Sequence, residues 1–153
     1  MFRKILVAYD GSAAGRLAVD ECLNFFAGSG AEVHVAGIVH NQPLYLLAGE
    51  FVPEPALDDS QTSMESDLKV VAAELAAKGF TATTHQRTGD PIDVMTQLVE
   101  KLSIDLVILG HLRSKSFAQR WWRGSVDTLL IERIRCSILI AADPGAPAKK
   151  KSS

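Results

Sequence analysis

Asp105 to Val126 reads Asp-Leu-Val-Ile-Leu-Gly-His-Leu-Arg-Ser-Lys-Ser-Phe-Ala-Gln-Arg-Trp-Trp-Arg-Gly-Ser-Val. Leu106 to Leu109 is a short, wholly apolar run ending at Gly110, the pattern of a strand buried on both faces and stopped by a residue free to turn. A basic loop follows, and after Gly124-Ser125 the residues Val126, Leu129, Leu130 and Ile134 fall on one helical face. Ser125 therefore stands where an N-cap is expected. The free N–H groups and dipole of such a helix start favour an anion such as phosphate.

The same alternation runs outward from this stretch. Upstream, Ile5 to Tyr9 is a second continuous apolar run, ended by Asp10-Gly11-Ser12, with Ser12 as the N-cap of a helix whose stripe is Ala14, Ala18, Cys22 and Phe25. Gly28-Ser29-Gly30 stops that helix, and Ala31 to His40 is β-branched and strand-like. Asn41 to Leu57 holds Pro43, Pro53 and Pro55 among apolar residues and is expected to be a long loop. Met64, Leu68, Val71, Ala72 and Leu75 mark a helix closed by Gly79, and Phe80 to Thr88 alternates weakly, as an edge strand does. Asp90 then caps a helix with Pro91 at its first position and Ile92, Met95, Leu98, Val99 and Leu102 on its apolar face. Cys136 to Ala142 is a last apolar strand, and Asp143 to Ser153 has the composition of a disordered tail.

Strand and helix thus alternate through five strands, which calls for a single-domain α/β, Rossmann-like architecture: an open five-stranded parallel sheet with helices on both faces, over 1–142. Ligands of such sheets sit beyond the carboxyl ends of the strands, where strand order reverses. Asp10, His40, Gly110 and the loop to Gly124 all follow strand ends. With 153 residues and a formal net charge of −2 the chain is long enough for one core, and its charge gives no general drive toward nucleic acid or an acidic membrane. No apolar run reaches membrane-spanning length, and two cysteines in apolar segments make a disulfide unexpected, which points to the cytoplasm. His34, His40, His85 and His111 are dispersed, no His-x-x-His spacing occurs, and no metal site is expected. His111 is expected to hydrogen-bond locally. Trp121 and Trp122, adjacent and so about 100° apart on a helix, cannot share one base-stacking face.

In order and spacing, Lys4 to Ser12, Gly89-Asp90-Pro91, Asp105 to Gly110 and Gly124-Ser125-Val126 resemble the universal stress protein family. The resemblance implies strand order 3-2-1-4-5, a homodimer often joined through the last strand, and, in one branch, binding of ATP or AMP, with Mg²⁺ accompanying ATP. That branch carries Gly, two residues, Gly, nine residues, then Gly-Ser or Gly-Thr. Gly110 and Gly124-Ser125 match it, but Arg113 replaces the second glycine and the spacer Ser114 to Arg123 is one residue longer. Carried over by position, Asp10 would face ribose and adenine with Ala8 beside it, and Ile38, Leu109 and Gly110 would contact the base. Gly124, Ser125 and Val126 would hold phosphates. Arg113, Lys115, Arg120 and Arg123 could form a side-chain phosphate clamp; the alternative is a dimeric, non-nucleotide module acting through protein partners. Asp10 is the one plausible carboxylate for hydrolysis, so any ATPase is expected to be slow.

Overall fold

The computed structural model describes residues 1–39, 54–112 and 126–144, with backbone alone for 54–58 and 126–129. Its elements in chain order are β1 (Lys4–Tyr9), α1 (Ala13–Phe26), β2 (Glu32–Val39), α2 (Glu54–Ala77), β3 (Thr81–Thr88), α3 (Pro91–Leu102), β4 (Leu106–His111), α4 (Val126–Arg133) and β5 (Ser137–Ala142). The strands make one parallel sheet in the order β3-β2-β1-β4-β5. This is the α/β arrangement expected from the alternation of apolar runs and helical stripes.

Alternation along the strands divides the core into two layers. Ile5, Val7 and Tyr9 of β1, with Val33, Val35, Leu106 and Ile108, face Ala18, Val19 and Cys22 of α1 and Met64, Leu68, Val71 and Leu75 of α2. Leu6, Ala8, Ala36, Ile38, Val107 and Leu109 point the other way, against Ile92, Met95, Leu98 and Val99 of α3 and Leu130 and Ile134 around α4. A central strand of a parallel sheet is covered on both faces, and for that reason β1 and β4 read as unbroken apolar runs. The helix starts follow their caps. Ser12 Oγ accepts from Gly15 N at 3.4 Å, and Asp90 Oδ1 accepts from Ile92 N at 2.9 Å and Asp93 N at 3.2 Å. Pro91 takes the first helical position, where no N–H is needed.

Three expectations are corrected. The loop assigned to Asn41–Leu57 ends sooner, because α2 begins at Glu54 rather than near Met64; Pro55 lies in its first turn, where a missing N–H breaks no helical bond. Gly110 does not end its strand: it lies inside β4, which continues to His111. Cys136, whose place at the head of an apolar strand reads as that of a small buried hydrophobe, is only partly buried, whereas Cys22 is fully buried; both thiols are free. Of the expected tail, Asp143 still donates its N–H to the His111 carbonyl at 3.2 Å, and 145–153 lie outside the described residues. No helix among those described is long and apolar enough to cross a membrane.

Burial pushes the Cys22 thiol up to about 12 from 9.0 and raises that of half-buried Cys136. The folded chain keeps the Cys22 proton above the pH at which an unfolded chain gives it up. This contribution to stability is therefore complete below pH 9.0 and lost as pH rises toward about 12. Since the thiolate is the reactive form, iodoacetamide at pH 8 is expected to alkylate Cys136 first and Cys22 only at the rate of unfolding, as followed by mass spectrometry of the intact chain.

Candidate functional site

The carboxyl ends of β1 and β4 lie side by side at the centre of the sheet. From β1 the chain turns toward β2, and from β4 it runs on to β5 on the opposite side, so the crevice between them is the point where strand order reverses. Asp10 leaves β1 here. Its Oδ1 accepts from Ser12 N at 2.9 Å and also from Ser12 Oγ, which folds the carboxylate back over its own turn. Gly11 makes that turn with φ of +82°, a conformation that L side chains rarely adopt.

Gly110 governs how closely the next helix approaches. A Cβ built on Gly110 would lie 1.6 Å from the Ala14 carbonyl oxygen and 2.5 Å from its carbonyl carbon. The first turn of α1 therefore rests directly on the backbone of β4, with Ala14, Gly15 and Ala18 forming its buried face. Larger residues at these positions would hold the helix off the sheet.

Charged groups gather on the α1 and α2 side of the Asp10 turn. Arg16 Nη2 meets Glu74 Oε2 at 2.6 Å and Asp20 Oδ1 at 2.9 Å, and these partners, Glu74 first, raise its already high pKa. Asp67 Oδ2 would be 3.6 Å from a Cβ on Gly11. Tyr9 is buried beneath this group; burial, then Asp67, pushes its phenol up. With Asp10, Asp20, Asp67 and Glu74 against Arg16, this side of the Asp10 turn carries an excess of negative charge. The basic residues Arg113, Lys115, Arg120 and Arg123 belong to the segment after β4, outside the described residues.

The other residues expected at a nucleotide site are placed as follows. Ala8, Ile38 and Leu109, from three adjacent strands, share the α3/α4 face of the sheet and are 3%, 1% and 1% exposed. Val126 opens α4. His40, Arg113, Gly124, Ser125, Trp121 and Trp122 lie outside the described residues. His111, expected to hydrogen-bond locally, has a buried Nδ1 with no partner among the described residues. No group of three His, Cys, Asp or Glu among those residues is placed to hold a metal ion.

Several contacts could not be seen in the sequence. Asp105 accepts from Arg3 N at 2.9 Å and Lys4 N at 3.0 Å and so fastens the start of β1 beside β4. His34 and His85 meet across β2 and β3, although 51 residues separate them. Of the ion pairs among the described residues, Arg16–Asp20 and Glu65–Lys69 have a sequence signal, their i,i+4 spacing.

The model of the family described as universal stress protein matches residues 1–142. The chain belongs to the universal stress protein family. The universal stress protein YxiE of Bacillus subtilis is 27% identical over 147 residues, covering 92% of this chain and 99% of its own. Solved structures share the fold at lower identity. A universal stress protein in complex with cAMP has a TM-score of 0.65 and 20% identity, covering 92% of this chain and 97% of its own. A family member from Arabidopsis thaliana with AMP bound has a TM-score of 0.60 and 16% identity, covering 92% and 91%. In this universal stress protein the sheet order 3-2-1-4-5 is the one the family resemblance implied.

The contact at Gly110 is open to direct test. In Gly110→Ala the new methyl meets backbone rather than a flexible side-chain end, so the variant is expected to lose about 3 kcal/mol or more. Urea denaturation followed by circular dichroism measures this as a lower midpoint; a midpoint equal to wild type would contradict the close approach of α1 to β4.

Proposed function

We propose that this universal stress protein is a cytoplasmic, stress-linked regulator that binds an adenine nucleotide, ATP or AMP, at the carboxyl edge of its sheet. The observation that carries the proposal is the reversal of strand order between β1 and β4, with Asp10 just past the end of β1 and Gly110 one residue before the end of β4. The AMP and cAMP bound by two proteins of the same fold support it. In this reading Asp10 and Ala8 lie toward the ribose and adenine, with Ile38, Leu109 and Gly110 at the base. Gly124, Ser125 and Val126 hold phosphates at the start of α4, and Arg113 adds a charge-assisted bond. Because negative charge gathers on the α1/α2 side of the Asp10 turn, the phosphates belong away from that side, and Mg²⁺ would accompany ATP rather than AMP. No residue is assigned a catalytic role.

A second reading has its own support. Gly110 and Asp10 both have structural duties, the one against Ala14 and the other in its own turn, and Arg113 departs from the glycine pattern. Under this reading the protein is a dimeric interaction module without nucleotide. Both readings use a homodimer through β5, a sheet edge on which Ile140 is 42% exposed; an unpaired apolar edge is an aggregation hazard that pairing removes.

Calorimetric titration of nucleotide-stripped protein with ATP and Mg²⁺, with AMP, and with GTP separates the readings. Micromolar affinity for ATP or AMP, about −8 kcal/mol, with little for GTP is the expected result. Gly124→Val should abolish this binding and Asp10→Ala weaken it. Absence of binding by both adenine nucleotides would overturn the first reading.

A further inference from the structure

Away from the sheet's carboxyl edge, one buried polar group has no part in the proposed nucleotide site. His34, on β2, is 5% exposed and is the one polar or charged residue in the core among those described. Burying an imidazole is costly unless its nitrogens are bonded, and here both are. Nε2 faces Glu32 Oε1 at 2.7 Å, and Nδ1 faces Nε2 of His85, on β3, at 2.9 Å. The ring planes differ by 28° and the centroids are 5.1 Å apart, so the rings meet edge to edge. Register explains the meeting: His34 pairs with Thr83 and His85 with Ala36, which makes the two histidines diagonal neighbours on one face.

We propose that Glu32, His34 and His85 form a proton-operated latch that fastens edge strand β3 to β2 while at most one of the two imidazoles is charged, and releases it when both are. The reason is a count of hydrogens. With Nε2–H of His34 directed at the Glu32 carboxylate, a neutral His34 presents a bare Nδ1 that accepts from Nε2–H of His85. If His34 gains a proton on Nδ1, the direction reverses and His85 accepts through a bare Nε2. Two imidazolium rings would set N–H against N–H and charge against charge, and no bond would remain.

Burial and the cations beside His85 oppose that second proton. Around the pair stand Glu32 from β2, Arg87 from β3, Lys101 from α3 and, from β1, Lys4, the register partner of Glu32, whose Nζ is held by the Leu102 carbonyl at 3.3 Å. Burial first, then His34, Arg87 and Lys101, lowers the pKa of His85 below its ordinary 6.5. The folded state thus binds this proton less readily than the unfolded chain. The stability it confers is complete above pH 6.5 and is lost as pH falls through the lowered value. The latch is closed at neutral pH and opens in acid.

Among the described residues, the side-chain ties of β3 other than the histidine bond do not involve groups that titrate near neutral pH. Most of its side chains are exposed, and Ala82 alone of its residues packs against a core cluster. Its ties to α2, Gln61 Nε2 to Thr88 Oγ1 at 3.2 Å and Gln86 Nε2 to the Gln61 carbonyl at 2.8 Å, do not titrate. Loss of the histidine bond should therefore loosen the middle of β3 and leave β1 and β4 closed.

Hydrogen exchange read by mass spectrometry on the full chain at pH 7.5 and pH 5.0, corrected for the intrinsic pH dependence of exchange, tests the latch. Protection over 81–88 is expected to fall about tenfold at the lower pH relative to 4–9 and 106–111. In His85→Gln the amide still donates to His34 Nδ1 but cannot titrate, so β3 should keep its protection at both pH values. In His85→Phe the bond is lost without loss of ring volume, and β3 should be poorly protected at both. A wild-type β3 indifferent to pH, or a Gln variant that loses protection in acid as wild type does, would overturn the proposal. Should the variants fail to fold, the imidazole 15N shifts of the wild-type protein decide: a His85 titration that also moves the His34 ring signals supports the latch, and one that leaves them unmoved refutes it.

Discussion

A carbonyl oxygen resting on a Cα without a side chain governs the carboxyl edge of this sheet. Where the Ala14 carbonyl meets Gly110 there is no room for a methyl group, so the first turn of α1 lies at backbone distance from β4. That distance sets the path between β1 and α1: the chain must reverse within Asp10-Gly11-Ser12, with Gly11 at positive φ and the Asp10 carboxylate folded over the turn. Two adjacent strand ends, a tight turn and a helix start are thereby held in one place. Van der Waals exclusion between backbones, more than any ion pair, builds the crevice.

Much of the fold was legible because its signals are local. Ile5 to Tyr9 and Leu106 to Leu109 are apolar throughout because both faces of a central parallel strand are covered, and the caps at Ser12 and Asp90 lie beside the N–H groups they satisfy. The start of α2 was missed because Pro55 reads as a loop residue unless it is known to occupy a first turn. In the sequence Gly110 reads as a residue free to turn. Its actual role depends on Ala14, almost a hundred residues earlier, and no spacing in the chain reveals that approach. The order of the strands came from family resemblance, since alternation alone gives a parallel sheet without saying which strand lies where.

The candidate site was legible to the extent that it depends on strand ends. Asp10 and Gly110 come to the same edge of the sheet because β1 lies beside β4, and Ala8, Ile38 and Leu109 share one face because parallel strands in register point equivalent residues the same way. Long-range polar contacts were not legible. Asp105 binding the backbone of Arg3 and Lys4, and His34 reaching His85, arise only when β1 lies beside β4 and β2 beside β3. The acidity around Asp10 is of the same kind: Asp67 and Glu74 come from α2, and in the sequence they are ordinary charged residues on a helix.

The central position of β1 also bears on how the protein is made. It is the earliest of the five strands to leave the ribosome, yet one of its edges is occupied by β4, from Leu106 to Ile108. Until those residues emerge, one side of an almost wholly apolar strand has no partner. At about 5 to 20 residues per second, the roughly one hundred residues between them take about 5 to 20 s to synthesise. The nascent chain must shelter Ile5, Leu6 and Val7 for that time, and the sheet can close only when its fourth strand is delivered.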